Sequence, residues 1–95
     1  MTQTQVKQKL KDLNIQFLTE TDLDKLNSLK EQIINLYSSI PFSESDSIGK
    51  ELELKLLNDT INLYIKNNLD NSIKYRLIGD FDRILITLSW SLLPE

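Results

Sequence analysis

Apolar residues return along the chain with a helical period in four separate segments. Val6, Leu10, Leu13 and Phe17 are spaced four, three and four, one face of a helix from about Thr4 to Leu18. A second stripe of Leu23, Leu26, Leu29, Ile33, Leu36 and Ile40 steps by three or four, with Ile34 and Tyr37 widening it. Thr19 or Thr21 is the expected hydroxyl cap of this helix, and Asp22 and Asp24 fall in its first turn, where the dipole favours anions. Pro41 biases Ile40 toward extended backbone, so the helix ends near Ser39.

The Ser- and acid-rich "PFSESDS" reads as a loop, with Ser45 or Ser47 capping a third helix. Leu54, Leu57, Ile61 and Tyr64 form its stripe. Leu52, Leu56, Leu63 and Ile65 spread apolar surface around it, marking this helix as the most enclosed of the set. "NNLDNS" is the next connector. A fourth stripe runs through Leu77, Phe81, Ile84, Leu85, Leu88 and Leu92, from a start near Ser72 or Asp80. Gly79 leaves that start open, because "IKYRLI" also has β character.

Four amphipathic segments with short connectors predict an all-α chain, an up-down four-helix bundle or close variant, as one domain over residues 1–95. A short extended segment near 73–78 is the variant to test, and three helices with the fourth packed in a dimer is another. The tetrapeptide Ile-Asn-Leu-Tyr occurs at Ile34–Tyr37 and again at Ile61–Tyr64. Leu29 and Leu56 also align at the same offset, but beyond this the match fails, with Leu26 against Glu53 and Leu23 against Lys50, so it is no structural repeat. It predicts two core turns built alike, supplying Ile34, Tyr37, Ile61 and Tyr64 to one core, with each tyrosine hydroxyl near the bundle's edge.

Composition narrows the chemistry. The 95 residues are 40% hydrophobic and 26% charged, an ordinary globular balance, and only two Gly and two Pro are present, which disfavours an all-β fold. Cysteine and histidine are both absent, which removes thiolate chemistry, the usual zinc, copper and haem ligands, and the near-neutral proton shuttle. The expectation is a protein that is not an enzyme and carries no metal or cofactor. The formal charge is −3, and three basic side chains on one helix (Lys7, Lys9 and Lys11) are too few for a nucleic-acid face. "MTQTQVKQKL" has no apolar core of a leader, and "ILITLSWSLL" at 84–93 is half the length of a membrane span, so a cytoplasmic protein with no membrane partner is expected.

Acidic residues two apart recur at Asp22/Asp24, Glu44/Asp46, Glu51/Glu53 and Asp80/Asp82. On a helix such pairs diverge, so helix starts explain them better than a metal site does. "SDSIGKELEL" from Ser45 to Leu54 is similar to the Asp-Ser-Leu attachment site of acyl and peptidyl carrier proteins, with Asp46, Ser47 and Ile48 on the three core positions. That resemblance implies a phosphopantetheine arm on Ser47. Glu44-Ser45 stands where the family has Leu-Gly, and Ser47 read as a helix cap explains the same residues.

Most aromatics fall on the apolar stripes. Phe42 and Trp90 do not, and with Tyr75 and Arg76 they are the candidate contacts for a protein partner. The leading expectation is therefore a small non-catalytic binder of another protein, of the inhibitor, antitoxin, immunity or adaptor type. A carrier modified on Ser47 and a nucleic-acid-associated regulator using Lys7 and Lys11 are the alternatives. A homodimer is also expected, from surplus apolar surface on the second and fourth helices.

Overall fold

The computed structural model describes the backbone of residues 3–40 and 44–91, and the side-chain surroundings of 5–40 and 48–86. Four helices follow in order: α1 (Gln3–Thr19), α2 (Leu23–Ser39), α3 (Glu44–Lys66) and α4 (Asn71–Ser91). Each packs on its neighbour in sequence, and α1 returns against α4 to close the ring. The result is an up-down four-helix bundle measuring 39 × 23 × 18 Å.

The core follows the predicted stripes closely on α1, where Val6, Leu10, Leu13 and Phe17 are all buried. From α2 come Leu26, Leu29, Ile33, Tyr37 and Ile40; from α3, Leu57, Ile61 and Tyr64; from α4, Leu77, Phe81 and Ile84. Phe17 joins three helices. Its ring centroid lies 5.9 Å from that of Tyr64 and 6.0 Å, edge-on, from that of Phe81. These are the offset arrangements that ring quadrupoles favour.

The α1–α2 corner is capped differently from the expectation. Asp22, rather than either threonine, is the N-cap of α2, its carboxylate accepting from the backbone N–H of Asp24 and Lys25 at 2.9 and 3.1 Å. Glu20 accepts from the N–H of Thr21 and Asp22, while the Thr19 hydroxyl turns back to the carbonyls of Ile15 and Gln16. A carboxylate is the stronger acceptor for exposed donors at a positive helix end, so it takes the cap. Leu23 then falls on the first turn and is exposed, outside the core stripe.

α3 begins at Glu44, so Ser45 and Ser47 lie inside the helix and neither caps it. Polar contacts among the described residues join it to α2. The Lys50 ammonium donates to the carbonyls of Ser38 and Ile40, both at 2.9 Å. Tyr37 Oη donates to Glu53 at 2.7 Å, and Lys30 donates to Asn62 Oδ1 at 3.1 Å. As numbers rise along α3 they fall along α2, the order that antiparallel neighbours require. The Lys50 contacts also serve the last turn of α2, whose carbonyls have no intrahelical donor.

The α3–α4 corner uses two residues in the left-handed region, Asn68 (φ 56°) and Leu69 (φ 60°), with Leu69 N–H donating to Tyr64 O at 2.9 Å. Leucine rarely adopts that φ, and here its side chain packs against the core in return. Asp70 accepts from the N–H of Ser72 and Ile73 and so starts α4. Residues 73–78 are therefore helical and the extended variant is overturned: the cap and the core-facing Ile73–Leu77–Phe81 spacing outweigh the β character of "IKYRLI". The start before Gly79 also places Asp80 and Asp82 in mid-helix, not in a dipole-favoured first turn.

Two further expectations change. In the repeated tetrapeptide Tyr37, Ile61 and Tyr64 are buried, but Ile34 is only half-buried and Ile33 takes its place in the core. α3 is not the most enclosed helix either, since Leu52, Leu56 and Leu63 are exposed. Leu92, Phe42 and the side chains of Leu88 and Trp90 lie outside the described residues.

Candidate interaction surface

The core of α3 faces one way through Leu57, Ile61 and Tyr64, with Leu54 packed beside them. Ile48, Leu52 and Leu56, spaced four apart, make a second stripe on another face, continued seven residues on by Leu63. Their exposures are 76, 57, 43 and 42%. A single exposed leucine needs no explanation, but four aliphatic side chains aligned on one helix form an apolar strip, broken by Asp59 before Leu63. Exposed Glu51, Lys55, Asp59 and Lys66 surround it. Among the described residues the exposed aliphatics are most numerous on the third helix, whereas surplus apolar surface was expected on the second and fourth. Spacing alone could have shown it: α3 carries apolar residues on two opposed faces, and only one can turn inward.

Elsewhere exposed aliphatics are more scattered, with Ile15 on α1 and Ile78 and Ile86 on α4. Between α1 and α4 lies a cleft of about 130 Å³, walled by Ile15, Leu18, Ile78, Phe81 and Leu85 and edged by Lys11, Asn14 and Asp82. Asn14 is only 4% exposed, and neither its amide nitrogen nor its oxygen has a partner. Within α4, Asp80 Oδ1 accepts from Arg83 at 2.9 Å, while its Oδ2 is buried and unpartnered. Burial first, then the hydrogen bond to Glu53 and the Glu53 charge, push the Tyr37 hydroxyl far above its ordinary pKa, against a smaller opposing pull from Arg83. Burial pushes Tyr64 up as well. Both phenols are held neutral, the wrong state for a nucleophile or base.

Of the expected contact residues, Tyr75 and Arg76 are the two whose side chains are described. Tyr75 and Arg76 are adjacent and exposed on the second turn of α4. The backbone of Trp90 lies about 22 Å further along the same helix. Phe42 is outside the described residues. Ser47 sits within the first turn of α3, and α2 ends at Ser39, so the long loop that precedes the serine in carrier proteins has no counterpart here.

Among the described residues no group of three or more His, Cys, Asp or Glu converges to hold a metal ion. No described helix is long and apolar enough to cross a membrane. The fold defines the class, an all-α up-down four-helix bundle. Beyond that class the chain matches no protein-family model, no curated protein and no solved structure.

Proposed function

We propose that the protein acts without catalysis, by binding a polypeptide through the solvent face of α3. The observation that supports this reading is the aliphatic strip of Ile48, Leu52, Leu56 and Leu63, left in water on the face of α3 away from the core. Burying such a strip supplies non-directional affinity, and the charged residues along its edges set orientation and encounter rate. Tyr75 and Arg76 are candidate secondary contacts, exposed on α4. The phenol–carboxylate contact of Tyr37 and Glu53 lies in the α2–α3 seam with Tyr37 fully buried, and so offers no acid–base pair to a substrate.

Capture from a native lysate on immobilised protein tests the reading. Wild type should retain a defined polypeptide that the Leu52→Glu/Leu56→Glu double variant loses, while Tyr75→Ala weakens retention less. Both substituted leucines are exposed, so circular dichroism and the melting temperature should stay close to wild type. Equal retention by wild type and the double variant would place the binding surface elsewhere.

A further inference from the structure

We infer that the occupant of the α3 strip is a second copy of this chain, docked antiparallel across a two-fold axis that passes near Leu52. The inference rests on the binding reading above and names its partner.

Three features of the strip point to self-pairing. Ile48, Leu52 and Leu56 are evenly spaced, so reversing the helix about Leu52 maps the set onto itself. Ile48 of one copy then lies across from Leu56 of the other, and Leu52 meets Leu52. An isologous interface requires a patch that is complementary to its own reversed image, and this triplet meets that requirement. The exposed Asp59 interrupts the strip before Leu63, which confines the apolar contact to the symmetric triplet and leaves the carboxylate at the rim.

The second feature is charge order. Glu51 precedes Lys55 by one turn along the edge of the strip. In the antiparallel arrangement Glu51 of each copy comes within side-chain reach of Lys55 of the other, twice by symmetry. A parallel two-fold would instead set Glu51 and Lys55 against the opposite edge of the partner's strip, where Gly49 and Glu53 offer no such pair, so charge favours the reversed orientation. Third, the strip is a ridge on one straight helix, not a pocket, and the surface that fits a ridge of aliphatic side chains is another helix of the same kind. Closure by the two-fold uses both strips and stops at two chains.

The absence of cysteine from the chain makes a direct test possible. Single-cysteine variants Ile48→Cys, Leu52→Cys and Leu56→Cys would be oxidised under air, and covalent dimer followed on non-reducing gels. Leu52→Cys places two thiols at the two-fold and should cross-link at least about tenfold faster than either neighbour, since disulfides demand close Cβ approach. In parallel, light scattering over a dilution series should give twice the chain mass for wild type. Leu52→Glu should be monomeric, with association weakened about a hundredfold by two unpaired carboxylates at the axis.

Equal cross-linking of all three cysteines would overturn the antiparallel register, and a dimer that persists in Leu52→Glu would place the interface elsewhere. A monomeric wild type that still captures a partner in a Leu52-dependent way rejects the second copy and keeps the binding reading. A monomeric wild type that captures nothing through Leu52 rejects both.

Discussion

Removing one oxygen atom from Tyr37 should measurably weaken this protein and change how it responds to alkali. Tyr37 heads the fully buried side chains by size, and its hydroxyl donates to Glu53 at 2.7 Å across the α2–α3 seam. Tyr37→Phe keeps the ring and its packing and deletes the hydroxyl. A net hydrogen bond to a charged acceptor is worth about 1.5–3 kcal/mol. Glu53 is only half-buried and retains some hydration, so the lower end applies, about 1.5 kcal/mol. For a chain of this size that lowers the melting temperature by roughly 6–12 °C.

The pH dependence follows from the same geometry. Burial, the Glu53 hydrogen bond and the Glu53 charge raise the folded-state pKa of Tyr37 above its ordinary value of 10.0. A raised pKa means that the folded state holds its proton where the unfolded chain has released it. The stabilisation is therefore complete below pH 10.0 and is lost as pH rises above it, at up to about 1.4 kcal/mol per pH unit. Tyr64, raised by burial, adds a second contribution of the same sign. Chemical denaturation from neutral pH upward should show a falling midpoint in wild type above pH 10.0 and roughly half that slope in Tyr37→Phe. A double-mutant cycle with Glu53→Gln isolates the pair. An unchanged melting temperature, or an alkaline slope identical to wild type, would refute the assignment.

Three smaller changes probe other parts of the bundle. Gly79→Ala should raise stability by about 1 kcal/mol, because Gly79 lies within α4 and an added Cβ meets nothing within 4 Å; the denaturant midpoint should move up with its slope unchanged. Asn14→Leu should raise it by about 1–2 kcal/mol, since an unpartnered buried amide is exchanged for an apolar side chain of similar size; a fall in the calorimetric melting temperature would mean the amide is paired through water. Lys50→Met should lower stability by about 1 kcal/mol by removing the donor from the carbonyls of Ser38 and Ile40. Hydrogen exchange in the last turn of α2 should then rise more than exchange in α1.

The four stripes were legible because a helix that packs on one side leaves a period of three or four, and α1 kept it at every position from Val6 to Phe17. The end positions were harder. At the α1–α2 corner hydroxyl and carboxylate candidates stood within four residues of one another, and the choice of Asp22 over Thr21 depended on backbone angles that spacing does not encode. Ser47 looked like a cap for a related reason: a serine beside acids marks many helix starts, but α3 gained most of a further turn N-terminal to it. "IKYRLI" was ambiguous because β-branched and aromatic residues suit either state until a cap and a partner face decide. The exposed strip was misread through a default, that more apolar residues on a helix mean more burial. The same residues carried the correct answer in their angular distribution.

That distribution also explains why no rotation of α3 hides the strip. Leu52 and Leu57 belong to the same helix, one exposed and the other fully buried, and five residues turn a helix through roughly 140° beyond a full revolution. Rotating α3 to bury Leu52 would carry Leu57 and Ile61 toward water and pull Tyr64 away from Phe17, exchanging one apolar face for another. It would also swing Glu53 from Tyr37 and Lys50 from the end of α2. Bundle packing and those polar contacts therefore fix the rotation of α3, and a fixed rotation leaves Ile48, Leu52 and Leu56 outward. Folding and association then draw on different residues of a single helix. Truncating Leu57 removes core, at about 2–5 kcal/mol, whereas changing Leu52 acts on what the folded surface can bind.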